Sequence, residues 1–315
     1  MQKFCVGALL VIVIACSKDD VTLTDVDTTI IAWLDTMNVD SATADASGIY
    51  YYATTENPTG IAATAGSVVS IYYTLRDLSG NVIASHLRSD GDSLVLKQGV
   101  SAVYPVGLDL GLAFMREGET FNIIIPPALG YQDLTSGAIA PNMISLLEVE
   151  IARVQNEVSV YAQETADITN YITSENLNDT IANPLNSVQS FASGVAYKRI
   201  VKGFGPFAVN GETVILSYTA SFLSNTTFDS KNNFQFILGS TEPRLLIQGF
   251  EFGLSIMAPN ERALIIVPSS QGYRESALII PRSITADLIE DDIIPDYVQT
   301  VPPYTPMVFD VTRFD

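Results

Sequence analysis

The sequence predicts the α+β fold class, as two homologous domains each led by a short amphipathic helix. Three observations carry this. A set of motifs occurs twice at constant spacing: Gly107 and Gly249 stand 142 residues apart, and so do Tyr131 and Tyr273. Within each copy the order is strands, one short helix, then more strands, without the long crossovers that parallel sheets need. A chain of 315 residues that is 47% hydrophobic and 16% charged has apolar content for two cores and is not disordered.

The N-terminus speaks first. Met1 to Lys3 is a short positive region, and Val6 to Ala15 is an apolar run too short to span a bilayer. It ends at Val13-Ile14-Ala15-Cys16, which resembles a bacterial lipobox, with Cys16 as the lipidated residue. An ordinary secretory signal with an incidental cysteine is the alternative. The expectation is a signal peptide over 1–15 and a lipid on Cys16 as the membrane anchor. This points to a cell-envelope lipoprotein of the outer membrane, on its periplasmic face or the cell surface. Ser17-Lys18-Asp19-Asp20 resembles an acidic signal for the outer face, or is simply the start of an acidic linker. Cys5 falls in the leader, so the mature chain has no disulfide and relies on packing.

Residues 16–47 then read as a linker and a helix, Asp27 to Leu34, and residues 155–193 as a connecting helix, Ala166 to Ile172, with its own linker. Each connector leads into Ser-Gly-(Ile/Val)-x-Tyr, at Ser47 and at Ser193. Val68 to Leu75 and Val214 to Phe222 alternate as half-buried strands do. A helix is expected from about Gln248 to Met257, with Phe250, Leu254 and Met257 on one face. Phe121 to Pro126 matches Ala263 to Pro268 as the next strand. Beyond it the spacing grows to 162 between Leu147 and Phe309, so the second copy carries about 20 extra residues between Tyr273 and Pro302.

Lys and Arg number 16 against 35 Asp and Glu, which argues against nucleic acid and against anionic membrane surfaces as partners. His86 is the one histidine, no cysteine pair remains, and no glycine-rich phosphate loop occurs, so neither metal nor cofactor is expected. The stretch from Phe228 to Phe250 holds the chemistry. Asp229 sits there among large apolar side chains, the pattern of an apolar pocket with one polar handle. Taken singly, Tyr218, Phe234, Phe236 and Phe309 suit a β-rich core. Asp229 in their midst raises them, since a buried carboxylate is costly unless it has a partner or a use. Bonding to Tyr218 or to a backbone amide is its structural alternative.

Gly194 to Asp315 resembles a full FKBP-type peptidyl-prolyl isomerase domain. The resemblance rests on Phe228-Asp229-Ser230, Phe234-Gln-Phe236-Ile-Leu-Gly239, Ile247, Phe250, Tyr273, Val301-Pro302-Pro303 and Phe309-Asp310-Val311. It implies a twisted antiparallel sheet wrapped around one short helix. It implies Asp229 and Tyr273 as catalytic residues, with Tyr273 donating to the substrate carbonyl. Tyr218, Phe228, Phe234, Ile247, Phe250, Val301 and Phe309 would bind proline-containing polypeptide substrates. There are departures. Phe250 stands where a Trp is usual, Arg274 stands where a Gly is usual, and Glu275 to Thr300 lengthens a flap expected to overhang the pocket.

The first copy, 48–154, resembles the family less closely. Tyr73 and Tyr131 remain, but Ile83-Ala84 replaces the Phe-Asp pair, Leu108 holds the floor position, and Leu94 to Gly99 replaces the aromatic run. A degenerate domain used for binding or support is expected there, and an isomerase over 194–315. The alternative for the whole is a non-catalytic FKBP-fold binding module or holdase.

Overall fold

The computed structural model describes residues 23–178, 187–240, 246–294 and 301–314. Cys16 and the rest of the expected leader lie outside the described residues. Among the described residues no helix is long and apolar enough to cross a membrane. The chain divides into two compact units, residues 1–157 with 277–300 and residues 158–276 with 301–315. Each is an antiparallel sheet packed on one short helix, the α+β class expected.

In the first unit the strand Val68–Asp77 is central. Its β-branched and aromatic residues suit a pleated surface covered on both faces. It pairs with Ser145–Gln155 along one edge, and with Val82–His86 and then Leu94–Lys97 along the other. Thr120–Ile125, Tyr50–Thr55 and Thr43–Ala44 extend the sheet beyond Ser145–Gln155. The leading helix Leu23–Met37 lays Val26, Ile30 and Leu34 on the outer face against Ile124 and Leu146. Trp33 fixes it by donating its indole N–H to the Leu78 carbonyl at 2.8 Å. The helix Val106–Leu112 crosses the inner face on Leu108 and Leu112. A Cβ on Gly107 would lie 2.4 Å from Ile125 Cγ2, and one on Gly111 2.5 Å from Ile123 Cδ1. Bare glycines therefore set the distance between helix and sheet.

The second unit repeats the plan. Its strands run in the order Thr227–Ile237, Thr213–Phe222, Met307–Arg313, Arg262–Val267, Ala196–Val201, Gln189–Ser190. The helix Glu157–Ser174 packs Ile168, Tyr171 and Ile172 on the outer face against Ala196, Ile266 and Val308. Buried Glu164 pins it to the turn after Arg262–Val267, accepting from the Ser269 hydroxyl at 2.7 Å and from the Ser269 backbone N–H. The helix Gln248–Ser255 crosses the inner face with Phe250 and Leu254 buried, and Met257 follows just past its end. Gly249 and Gly253 repeat the close approach, a Cβ on each falling 2.5 Å from Val267 and 2.6 Å from Ile265.

One expectation needs correcting. The extra residues of the second copy were placed over its own pocket, within a domain running from 194 to 315. Residues 277–300 instead belong to the first unit. Leu278, Ile279, Ile280, Ile284, Leu288 and Ile294 are all buried in that unit's inner core, beside Tyr73, Leu108, Tyr131 and Leu147. The physical reason is their composition. A solvent-facing flap has no use for a run of large aliphatic residues, whereas each one buried fully stabilises by about 1.5–3 kcal/mol.

Candidate functional site

The site of the second unit begins with a row of side chains on the inner face of its sheet. Ala220 pairs with Asp229 on one side and Phe309 on the other, and Phe309 pairs in turn with Ile265. Asp229, Ala220 and Phe309 thus share one row across three strands, with the smallest side chain in the middle. Tyr218 lies two residues before Ala220 on the same face and donates its hydroxyl to Asp229 Oδ2 at 2.6 Å.

Above this row opens a cavity of about 150 Å³. It is lined by Tyr218, Phe228, Asp229, Lys231, Phe234, Leu246, Ile247, Phe250, Tyr273 and Phe309. A cavity of about this size has room for one small ring. The aromatic walls are mutually ordered. Phe250 and Phe309 stack with centroids 4.2 Å apart, and Tyr218 meets Phe250 edge-on at 5.4 Å. Phe234 stands edge-on to Tyr218 at 6.1 Å, with Lys231 Nζ 5.2 Å from its centroid at the rim.

Eight of the nine residues expected at the pocket therefore line one cavity. Val301 does not: it is 3% exposed and packs into the core with Met307 and Phe309, while its carbonyl accepts from Ser276 Oγ at 2.7 Å. Lys231 and Leu246, which also line the cavity, were not anticipated. Arg274, noted as a departure, has φ +50, a left-handed conformation that a glycine would adopt at no steric cost.

The electrostatics divide the two tyrosines. Burial raises the Tyr218 hydroxyl well above the ordinary tyrosine range, and its hydrogen bond to the Asp229 carboxylate raises it further. Burial also raises Tyr273, helped by the negative charge of Asp229. Both stay protonated at any physiological pH. Tyr218 spends its proton on Asp229, whereas the Tyr273 hydroxyl has no hydrogen-bond partner among the described residues. An aromatic slot with one oriented carboxylate and one O–H donor that has no partner among the described residues suits a ring attached to a carbonyl.

The same positions of the first unit carry different side chains. There the row is Ala84, Leu75 and Leu147, with Ile123 beyond. Leu75, fully buried, stands where Ala220 stands in the second unit, and its partner across the strand is Ala84 in place of Asp229. Burial pushes Tyr73 and Tyr104 up to about 12, with Asp133 adding to the second, and raises Tyr131 well above the ordinary value. Unfolded tyrosines ionise near pH 10, so from pH 10 to 12 the folded unit keeps protons that the unfolded chain has lost. Stability of this unit is expected to be full below pH 10 and to fall as pH rises towards 12. The slope is at most about 1.4 kcal/mol per pH unit for each tyrosine. A denaturation series from pH 8 to 12 checks this.

Comparison with known proteins agrees with the doubled architecture. A family model described as FKBP-type peptidyl-prolyl cis-trans isomerase matches residues 60–152 and 205–312. FK506-binding protein 4 of Dictyostelium discoideum is 30% identical over 95 residues, 30% of this chain and 25% of that protein. Peptidyl-prolyl cis-trans isomerase FKBP9 of Mus musculus is 23% identical over 176 residues, 55% of this chain and 25% of that one. The chain thus spans a quarter of the length of these curated relatives. Among solved structures, the three FKBP domains of wheat FKBP73 match 86% of this chain and 95% of that chain at 15% identity, TM-score 0.32. FkpA from Escherichia coli matches 42% of this chain and 61% of its own at 21% identity, TM-score 0.36.

Proposed function

Because the chain belongs to the FKBP-type peptidyl-prolyl cis-trans isomerase family, we propose that its second unit catalyses rotation about X-Pro bonds in polypeptides. The observation that carries this is the cavity in which the Tyr273 hydroxyl, without a hydrogen-bond partner among the described residues, stands beside the Tyr218–Asp229 pair. The uncatalysed barrier of ~18–20 kcal/mol comes from amide resonance, and uncatalysed exchange takes tens to hundreds of seconds. The aromatic slot takes the proline ring and strips water from the preceding carbonyl. Removing that water favours the twisted amide, in which charge separation is smaller than in the planar form. The Tyr273 hydroxyl donates to the substrate carbonyl, and the fixed Asp229 carboxylate supplies a preorganised dipole across the slot. Asp229 also fixes the Tyr218 ring that walls it, so its structural and chemical duties coincide. The test is catalysis of a proline-limited refolding reaction by the full chain and by variants at Tyr273 and Asp229.

The substrates on this reading are exported proteins, met at the cell envelope by a lipid-anchored folding helper. The motif ending in Ala15-Cys16 supports this. Metabolic labelling with a fatty acid is expected to mark the wild-type chain and to leave Cys16→Ser unlabelled. Wild-type protein that stays unlabelled and outside a detergent phase would refute the anchor.

A further inference from the structure

The inserted segment of the first unit is bound in the manner of a peptide ligand. Leu278–Ile279 runs as a parallel strand beside Val103–Tyr104, which lead into the helix Val106–Leu112. The Leu278 N–H donates to the Ala102 carbonyl and the Ile280 N–H to the Tyr104 carbonyl, each at 2.8 Å. The Tyr131 hydroxyl donates to the Ile280 carbonyl at 2.6 Å. Tyr131 is the repeat counterpart of Tyr273, and Ile280 is followed by Pro281. The counterpart of the pocket tyrosine of the second unit therefore holds the carbonyl of an X-Pro dipeptide in the first. Beyond Pro281, Ile284 and the helix Thr285–Glu290 add apolar anchors, and Ser136 donates to Asp287.

The segment is an addition to a finished fold. The seven strands of the sheet and both of its helices come from residues 23–155, and the first copy has no insertion at this place. We propose that the pocket of the first unit is a binding site for aliphatic–aliphatic–proline segments, and that its resident ligand is the chain's own Leu278–Pro281. Two main-chain hydrogen bonds at a strand edge supply register, and side-chain pockets supply selectivity, as in other strand-addition complexes. Leu75, Leu108 and Leu147 in the same core cluster make the surroundings aliphatic, which fits Ile280 better than an aromatic slot would. Another polypeptide of the same pattern enters only when the segment leaves. This inference concerns the first unit alone and stands whether or not the second unit is catalytic.

The probe is a fluorescent peptide with the sequence of residues 278–284, titrated into the full chain. Wild type sets the baseline, including any binding by the second unit. The triple variant L278G/I279G/I280G, shown to be folded by circular dichroism, is expected to bind one more equivalent. Adding Tyr131→Phe should weaken that extra equivalent roughly three- to tenfold, the value of one net hydrogen bond. A folded triple variant that binds no more peptide than wild type overturns the proposal. Should the triple variant not fold, amide hydrogen exchange on the wild-type chain decides. Leu278 and Ile280 amides are expected to exchange faster than those of Val68–Asp77, and Tyr131→Phe should speed the former alone by the same three- to tenfold. Exchange of segment and sheet at one common rate would show an integral core element and overturn the proposal.

Discussion

Ala220→Leu is expected to close the cavity of the second unit and lower kcat/KM for X-Pro isomerisation about 30- to 100-fold. The first unit has a leucine, Leu75, at the equivalent place in its sheet, fully buried. A leucine side chain between Asp229 and Phe309 takes the room meant for the proline ring. Burying such a ring is worth about 2–3 kcal/mol, and every 1.4 kcal/mol is a factor of ten. Ala220 is fully buried, so hydrogen exchange across Thr213–Phe222 is read alongside the rate to separate a closed cavity from an overpacked strand. Unchanged kcat/KM in the folded variant would mean that the substrate ring binds elsewhere.

The second large effect is on stability. Leu288→Ala removes a fully buried side chain from the helix Thr285–Glu290, amid Ile284 and Ile294. Large-to-small changes at such sites cost about 2–5 kcal/mol. The loss should be read at the amides of Leu278 and Ile280, and in the Val68–Asp77 strand up to the amount that the segment's binding supplies. Thr213–Phe222 should keep its protection, although residue 288 lies in the sequence of the second copy. If instead the strand of the second unit loses protection and Val68–Asp77 does not, the segment belongs where the repeat alone would put it.

These two residues mark the limits of what was legible in the chain. The doubled plan was readable because its signals are local: paired glycines in the helix, alternating strands, and a constant offset. The pocket aromatics, Asp229 and Tyr273 were readable because a motif keeps them at fixed distances along the chain. Ala220 carried no signal, since an alanine in a strand means nothing until its cross-strand neighbours are known. The destination of residues 277–294 is a matter of non-local packing, and adjacency in sequence to Tyr273 argued for the wrong pocket. One clue was present: Leu278, Ile279, Ile280, Ile284 and Leu288 are too apolar for a loop over solvent. Val301, expected beside the pocket, is buried in the same core cluster as Tyr218, Phe250 and Phe309 without lining the cavity itself.

The first unit combines several departures into one design. Losing the carboxylate at Ala84 and the small residue at Leu75 removes the polar slot, and gaining an internal Ile280-Pro281 fills the space above it. An aliphatic floor with an aliphatic occupant needs no charge to balance, which is consistent with the tyrosine hydroxyls there being pushed up by burial alone or nearly so.

The most direct measurement is the rate of a proline-limited refolding reaction with the full chain, alongside its affinity for a permanently unfolded client. Wild type is expected to accelerate refolding. Tyr273→Phe should lose about tenfold by removing one donor to the strained amide, and Asp229→Ala at least as much, with client affinity little altered. If wild type, Tyr273→Phe and Asp229→Ala all leave refolding at the uncatalysed rate while binding the client equally well, the second unit is a binding module and not an isomerase.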